Sequence, residues 1–342
     1  MRILLGMSGG LDSTYSACLL KKIGHEVVGC ALRMHAKTPI DDAKLAAEQA
    51  GIPLTVLDCE DAFEREVVQP FVCDYAAART PNPCVRCNRS VKIEALCRYA
   101  RENGFDRVAT GHYAAVLRDA ESGRWYIRRA ENPKKDQSYA LWGLKQEQLA
   151  MLMFPLADAD KSEIRARAAE MELRAAEAKE SMENCFIPDE HYAEFLARRG
   201  VTFLAGDFID QAGNPVGRHC GIGHYTIGQR KGLGLSLGRP VFVTAIDPIA
   251  NTVTVGDAED LMTESAQIAN LSFQLREPSA GTFRAMIKIR YAAPPVWGSI
   301  TVQSDLSGAS IRFDAPVRAV TPGQSAVCYE EDGGILMGGV FV

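Results

Sequence analysis

The sequence predicts an α/β protein with a parallel sheet in its N-terminal half and a β-rich C-terminal half. Three observations carry this. Short apolar runs alternate with helical patterns through the first hundred residues, which implies a parallel sheet covered on both faces. A glycine-rich turn, Gly6-Met7-Ser8-Gly9-Gly10-Leu11-Asp12-Ser13, joins the first apolar run to the first helical pattern. Beyond about residue 200 helical periodicity fades, and short Val, Ile and Phe alternations bounded by Gly and Pro suit a small β-barrel or sandwich.

The first strand is Ile3-Leu4-Leu5, and the helix after the turn carries Tyr15, Cys18, Leu19 and Leu20. Glu26 to Leu32 reads as the second strand. Asp41 to Ala50 is an alanine-rich helix stopped by Gly51-Ile52-Pro53, and Leu54 to Leu57 is a third strand. Arg107 to Thr110 is another, ending in Gly111-His112-Tyr113. Ligands of parallel sheets bind beyond the carboxyl ends of the strands, which gathers the glycine turn, Met34 and Gly111 at one mouth. Glycines let the backbone pass close to a ligand, Ser8 and Ser13 add hydroxyls, and a helix N-terminus favours an anion. A phosphate is the expected guest. The turn lacks Gly-Lys-Ser/Thr, so it is not the common NTPase P-loop. A glycine turn without a ligand is the plain alternative.

Thr80-Pro81-Asn82-Pro83-Cys84-Val85-Arg86-Cys87-Asn88 contains two prolines and an asparagine, which predict a rigid, exposed loop rather than a helix. Its Cys-x-x-Cys brings two sulfurs together, as redox pairs and metal sites require. The chain has no second Cys-x-x-Cys, so a four-cysteine zinc knuckle is not expected. Tyr113 to Ala130 reads as a hairpin turning at Ser122-Gly123. Lys134 to Tyr139 follows, either a grip for phosphates and a base or a plain surface loop. Asp160 caps a helix over Ile164 to Ala178, which leads to Cys185, placed on an accessible loop before Pro188. A buried structural role for that cysteine is equally open. The β-rich part begins with the basic stretch Tyr225 to Gly234. A hairpin of Arg239 to Ile246 with Thr252 to Val255 follows, then strands at Phe283 to Tyr291, Val296 to Val302, Ala309 to Phe313 and Ser325 to Glu330.

Composition bounds the class. The chain has 342 residues, 47% hydrophobic and 24% charged, which is ordinary for a water-soluble globular protein of two or three domains. No apolar run approaches the roughly 20 residues a membrane span needs. The first residues already read as a core strand, leaving no room for a signal peptide, so a cytoplasmic protein is expected. Its ten cysteines are then thiols, ligands or catalysts rather than a disulfide framework. The net charge of −5 argues against a uniformly cationic surface, yet cations cluster locally. One cluster is Arg86, Arg89, Lys92, Arg98 and Arg101, and another is Arg124, Arg128, Arg129, Lys134 and Lys135. Either one reads as a nucleic-acid contact or as a solvated face.

With these segments placed, the whole chain resembles the bacterial-type tRNA-specific 2-thiouridylases, enzymes that put sulfur on the wobble uridine of certain tRNAs. The resemblance implies an ATP-pyrophosphatase (PP-loop) domain over 1–200, a central tRNA-contacting domain over 201–262 and a C-terminal antiparallel β-barrel over 263–342. Gly6 to Ser13 is similar to the family's ATP loop, and Met34 and Gly111 match positions around the adenine nucleotide. Thr80 to Pro83 with Cys87-Asn88 resembles the target-base loop, with Asn82, Pro83 and Cys84 as base contacts and Cys87 as nucleophile. Lys135, Asp136, Gln137, Arg290 and Tyr291 match tRNA-contacting motifs. Ser181 to Phe186 matches the segment carrying the persulfide cysteine, here Cys185. Two departures stand out: Cys84 replaces the aspartate of well-known members, and Met182 replaces a glutamine.

The chemistry implied is adenylation of the uridine C2 oxygen by ATP with magnesium, followed by sulfur attack and loss of AMP. Sulfur arrives as a persulfide on Cys185 from a persulfide-carrying donor protein or a cysteine desulfurase, and a Cys87–Cys185 disulfide results. Arg86 and Arg89 are expected to lower the pKa of Cys87. Cys84 opens a second route, in which Cys84, Cys87 and Cys185 hold a 4Fe-4S cluster with one open iron. The resemblance further implies Glu-, Gln- and Lys-type tRNAs as substrates and no membrane partner. Two other classes stay open: a PP-loop ligase or amidotransferase, and a non-enzymatic RNA-binding protein.

Overall fold

Ile3, Leu4 and Leu5 are fully buried, so the first strand lies at the centre of its sheet. The computed structural model describes residues 1–177, 184–187 and 192–342. β1 (Arg2–Gly6) runs through the glycine turn into α1 (Leu11–Lys22), then come β2 (Glu26–Arg33), α2 (Ile40–Ala50) and β3 (Leu54–Asp58). α3 (Glu60–Phe63), a π turn (Glu64–Val68) and α4 (Gln69–Ala76) run together. A second rod joins α5 (Pro83–Cys87), a π turn (Asn88–Lys92) and α6 (Ile93–Glu102), and leads to β4 (Arg107–Ala109). A hairpin of β5 (Ala114–Arg118) and β6 (Trp125–Arg129) follows, then α7 (Gln146–Leu149) and the short β7 (Leu152–Met153). The sheet order is β3-β2-β1-β4-β7, parallel throughout. The chain winds outward from β1 to β3 and returns on the other side as β4. The reversal between β1 and β4 opens a crevice at their carboxyl ends.

α8 (Lys161–Glu170) and α9 (Tyr192–Arg198) complete the helical part. A four-stranded sheet follows, of β8 (Gly206–Ile209), β9 (Pro215–His219), β10 (Phe242–Asp247) and β11 (Thr252–Gly256), in the order β10-β11-β8-β9. The last six strands are β12 (Met262–Phe273), β13 (Gly281–Lys288), β14 (Val296–Val302), β15 (Gly308–Arg318), β16 (Ser325–Tyr329) and β17 (Ile335–Phe341). They close into a barrel in which β17 pairs with β12, leaving no open edge. Among the described residues no helix is long and apolar enough to cross a membrane.

The structure departs from the sequence expectations in identifiable places. Residues 83–87 form a helix. Pro83 occupies its first turn, where a missing N–H costs nothing, and Asn82 caps it by accepting from the Val85 N–H at 3.4 Å. Pro81, Pro83 and Val85 are buried, so the segment is not an exposed loop. The helix expected over Ile164 to Ala178 stops at Glu170, because Glu172 takes a left-handed φ of 54° before a 3₁₀ turn (Arg174–Glu177). Asp160 does cap it, accepting from the Ser162 N–H at 2.8 Å. Of the two open β forms, the closed barrel is the one adopted.

The N-terminal half and the barrel are joined by a buried glutamine. Gln274 has no exposed surface. Its Oε1 accepts from the Ile127 N–H at 2.9 Å, and its Nε2 donates to the carbonyls of Leu141 and Trp142 at 2.9 and 3.0 Å. Its own carbonyl and that of Phe273 accept from Arg124, so this cation is spent internally. Gln274→Leu keeps the volume and strands three buried backbone groups, each worth about 1–3 kcal/mol. The variant is expected to melt several degrees below the parent in calorimetry, and an unchanged midpoint would show that the joint carries no stability.

Candidate active site

The nucleotide side is built by close backbone approach. Gly6 ends β1, and a β-carbon there would meet Leu96 Cδ1 at 3.0 Å and Thr110 Cγ2 at 3.3 Å. Gly9 has φ 81° and touches the first turn of α2, where a β-carbon would fall 2.6 Å from the Asp42 carbonyl carbon. Gly111 lies against α1, with a virtual β-carbon 2.9 Å from the Asp12 carbonyl carbon and 3.0 Å from the Ser13 nitrogen. Met7, buried, donates its N–H to the Cys30 carbonyl at 2.8 Å, tying the turn to β2. Ser13 Oγ donates to the Gly10 carbonyl at 3.1 Å and stands 3.4 Å from Ser8 Oγ. Leu11 packs inward, while Gly10, the residue before the helix, gives no side-chain cap. The first N–H groups of α1 therefore point into the crevice for a ligand to satisfy. Met34 follows β2 and packs, half-buried, against Phe63 and its neighbours.

Asp12 is anchored from two sides. Its Oδ1 accepts from the Tyr113 hydroxyl at 2.7 Å, and its Oδ2 pairs with Lys161 Nζ at 3.1 Å. Lys161 also lies 5.5 Å from the Tyr113 ring centre. Sequence reasoning missed Lys161 and Tyr113. Lys161's position directly after the capping Asp160, at a helix start, was the available signal.

The sulfur side rises from the second rod. In an α-helix turning about 100° per residue, the fifth residue on lies roughly 140° away. The π closure stacks residue i+5 over residue i and so brings Lys92 over Cys87. Burial pushes the half-buried Cys87 thiol up to about 11. Lys92 opposes this, while Cys185 and Cys84 add to it. Burial also raises Cys185, Cys84 adds to that, and Lys92 opposes it. The three sulfurs thus lie within electrostatic reach of one another, Cys84 and Cys185 exposed and Cys87 half-buried. His112 feels the same ammonium. Burial first and Lys92 second push its pKa down to about 3, so the imidazole is neutral, with Nδ1 2.7 Å from Thr110 Oγ1. Lys92 therefore lies within electrostatic reach of both His112 and the thiols.

The expected role of Arg86 and Arg89 is corrected. Arg86 pairs with Asp74 at 3.7 Å, and Lys92 is the cation that acts on Cys87. All ten cysteines are free, and among the described residues no group of three or more His, Cys, Asp or Glu side chains is arranged to hold a metal ion. Cys185 sits in a turn closed by the Ile187 N–H to the Asn184 carbonyl at 2.9 Å. Met182 and the rest of 181–183 lie outside the described residues.

The residues expected to contact RNA fall into different settings. Asn82 and Pro83 begin α5, and Cys84 is on its open side. Lys135 is half-buried beside Asp136, which is wholly internal: it pairs with Arg129 at 3.3 Å and accepts from the Ala130 and Ser138 N–H groups. Gln137 Oε1 accepts from the Tyr113 N–H at 3.0 Å and so braces the ligand of Asp12. Tyr291 is about half exposed, edge-on to Tyr139, with Lys288 Nζ 5.6 Å from its ring centre. Arg290 directs its guanidinium inward, to the carbonyls of Ile227 and Ala319 at 3.0 Å each.

A parallel sheet with a glycine loop at its switch point and an anchored aspartate in the loop defines a nucleotide-using domain of the HUP class. Residues 1–189 match the family described as tRNA methyl transferase HUP domain. Residues 193–257 match the companion PRC-barrel domain, and residues 263–342 the aminomethyltransferase beta-barrel domain. The chain is 42% identical to the tRNA-specific 2-thiouridylase MnmA of Geobacter metallireducens over 97% of this chain and 94% of that protein. It is 41% identical to that of Moorella thermoacetica over 98% of both chains. The chain belongs to the tRNA-specific 2-thiouridylase family.

Because Cys87 is held protonated at neutral pH, alkylation of its peptide by iodoacetamide is expected to rise steadily from about pH 7 to about pH 10. Lys92→Met moves that profile to higher pH and Lys92→Arg leaves it in place, read by mass spectrometry. A Lys92→Met profile superimposed on the parent's would remove Lys92 from the sulfur site.

Proposed function

We propose that this chain is an ATP-dependent tRNA 2-thiouridylase. It activates the C2 oxygen of the wobble uridine as an adenylate and replaces it with sulfur carried by Cys185. The observation that carries the reading is the position of Lys92, which acts both on His112 beside the nucleotide crevice and on the two thiols. Activation and sulfur delivery then share one mouth. Family membership supports tRNA as the substrate class, and the Glu-, Gln- and Lys-type acceptors follow the resemblance.

The glycine loop and the bare N-terminus of α1 receive the pyrophosphate of ATP, and Lys161 beside Asp12 adds a cation at the same end. Asp12 has both carboxylate oxygens engaged, so magnesium would arrive with ATP rather than be held by this side chain, and would supply charge neutralisation for the departing pyrophosphate. The uridine C2 oxygen attacks the α-phosphorus and pyrophosphate leaves. The terminal sulfur of a Cys185 persulfide then attacks C2 and AMP departs, leaving the base linked to Cys185 through two sulfurs. Cys87, as thiolate, attacks the Cys185 sulfur and takes over its S–S bond. The electron pair goes to the departing thiocarbonyl, giving 2-thiouridine and a Cys87–Cys185 disulfide. An external thiol reductant resets the pair, and a persulfide donor reloads Cys185.

The cluster route has the mutual proximity of Cys84, Cys87 and Cys185 in its favour. As placed, however, these thiols do not form a metal-holding set, and no step is assigned to a cluster. The three working units, 1–200, 201–262 and 263–342, follow the resemblance. β8 to β11 pair among themselves, while the barrel strands begin at Met262 and, among the described residues, a single bridge, Arg128 to Gly334, links the first unit to the last.

The test is nucleoside mass spectrometry of tRNA treated with ATP and a persulfide donor. The parent protein is expected to form 2-thiouridine in air. Cys87→Ser and Cys185→Ser are expected to form less than about a hundredth as much. Cys84→Asp separates the routes. Retained aerobic activity without bound iron supports the persulfide path, whereas iron in the parent and inactivity of Cys84→Asp would replace it with the cluster.

A further inference from the structure

The segment that leads into α5 is held from the C-terminal barrel. The Thr80 N–H donates to the Pro322 carbonyl at 2.9 Å. Gln324 Nε2 donates to two successive carbonyls, Thr80 at 2.9 Å and Pro81 at 3.3 Å. Gly323, φ 90°, presses on the same residue, and a β-carbon there would meet the Thr80 oxygen at 2.8 Å and its nitrogen at 3.1 Å. Pro81 and Pro83 have no N–H, which removes two of the donors by which the segment might pair elsewhere.

The barrel loop that makes these contacts is itself fixed. Gly323 N–H donates to the Phe341 carbonyl and Phe341 N–H to the Gln324 carbonyl, at 3.0 and 2.9 Å, binding the loop to the end of β17. Arg290 Nη2 donates to the Ala319 carbonyl and the Thr321 hydroxyl within the loop and reaches the Ile227 carbonyl in the segment before β10. One guanidinium thus ties the stretch before β10 to the barrel loop, and the loop grips the approach to α5. At about 1.5 Å per residue the five-residue α5 spans under 10 Å, so a shift at Thr80-Pro81 reaches Cys87 almost undamped.

We propose that Gln324 is a positioning residue for Cys87: through it the barrel sets where α5 starts, and so where the thiol stands at the mouth. Arg290 supports the same loop from behind. The inference rests on the 2-thiouridylase reading for its catalytic consequence, while the grip itself is a property of the fold.

The experiment uses the full chain with Gln324→Leu, which keeps the size and removes the donor, and Gln324→Asn, which keeps the amide and shortens its reach. Both are expected to hold the parent's melting midpoint within a few degrees and its tRNA Kd within about twofold. Their kcat for thiolation is expected to fall on the order of tenfold or more, since misplacement of about 1 Å costs up to about a hundredfold. Hydrogen exchange without tRNA is expected to quicken at the amides of 82–87 and to stay unchanged in α1. A rise in tRNA Kd with kcat preserved would make Gln324 an RNA contact and overturn the proposal. So would unchanged kcat with unchanged exchange. If one variant does not fold, the other gives the same split. Absence of 2-thiouridine from the parent would sink the enzymatic reading alone, because the exchange measurement still reports the grip.

Discussion

The nucleotide crevice depends on one close approach, the backbone at Gly111 lying against the first turn of α1. Nothing larger than hydrogen fits there without displacing Asp12 and Ser13. Gly6 and Gly9 repeat the arrangement against α6 with Thr110 and against α2. Three elements far apart in sequence thereby converge on one turn. The helix entering from it keeps its first N–H groups for a ligand, and Asp12 is held by Tyr113 and Lys161. The site is organised before any substrate arrives, so little ordering is left for binding to supply.

The sulfur side has a different physical character. Burial holds Cys87 as a thiol, and a neutral His112 supplies no positive charge nearby. Among the described residues the opposing charge comes from Lys92. A protonated, half-buried thiol resists adventitious alkylation and oxidation, since both require the thiolate. Much of the cationic surface legible in the sequence is committed internally: Arg124 to the barrel joint, Arg129 to Asp136 and Arg290 to the loop before β16. RNA affinity therefore falls to fewer cations than the count suggests.

The sheet was legible because its strands are strongly apolar and are punctuated by glycine, as at Gly51 and in the turn after Leu5. Weakly patterned strands were not. β8 and β9 carry Gly, Asp, Pro and His; β12 alternates Met, Thr, Glu, Ser and Gln; β7 has two residues. β7 and β12 are stabilised by partners distant in sequence, and β8 and β9 pair as a hairpin that docks on β11, none of which local pattern reports. The α5 segment misled for a specific reason: Pro83 and Asn82 break helices in their interior and start them at their ends, and the same residues support either outcome. For the site, residue types marked the glycine loop and the cysteines. Lys92, Lys161 and Gln324 were hidden because their significance lies in the turn or the loop that aims them.

The π turn at Asn88–Lys92 has a consequence for the whole rod. The stripe Ile93, Leu96, Cys97 and Ala100 must face the core, while Cys87 must face the mouth. An uninterrupted α-helix fixes the angle between those two requirements at about 100° per residue. The wider turn acts as a phase shifter, uncoupling the direction of Cys87 from that of the stripe. The number of residues between Cys87 and Ile93 is then as much a part of the site as their identity.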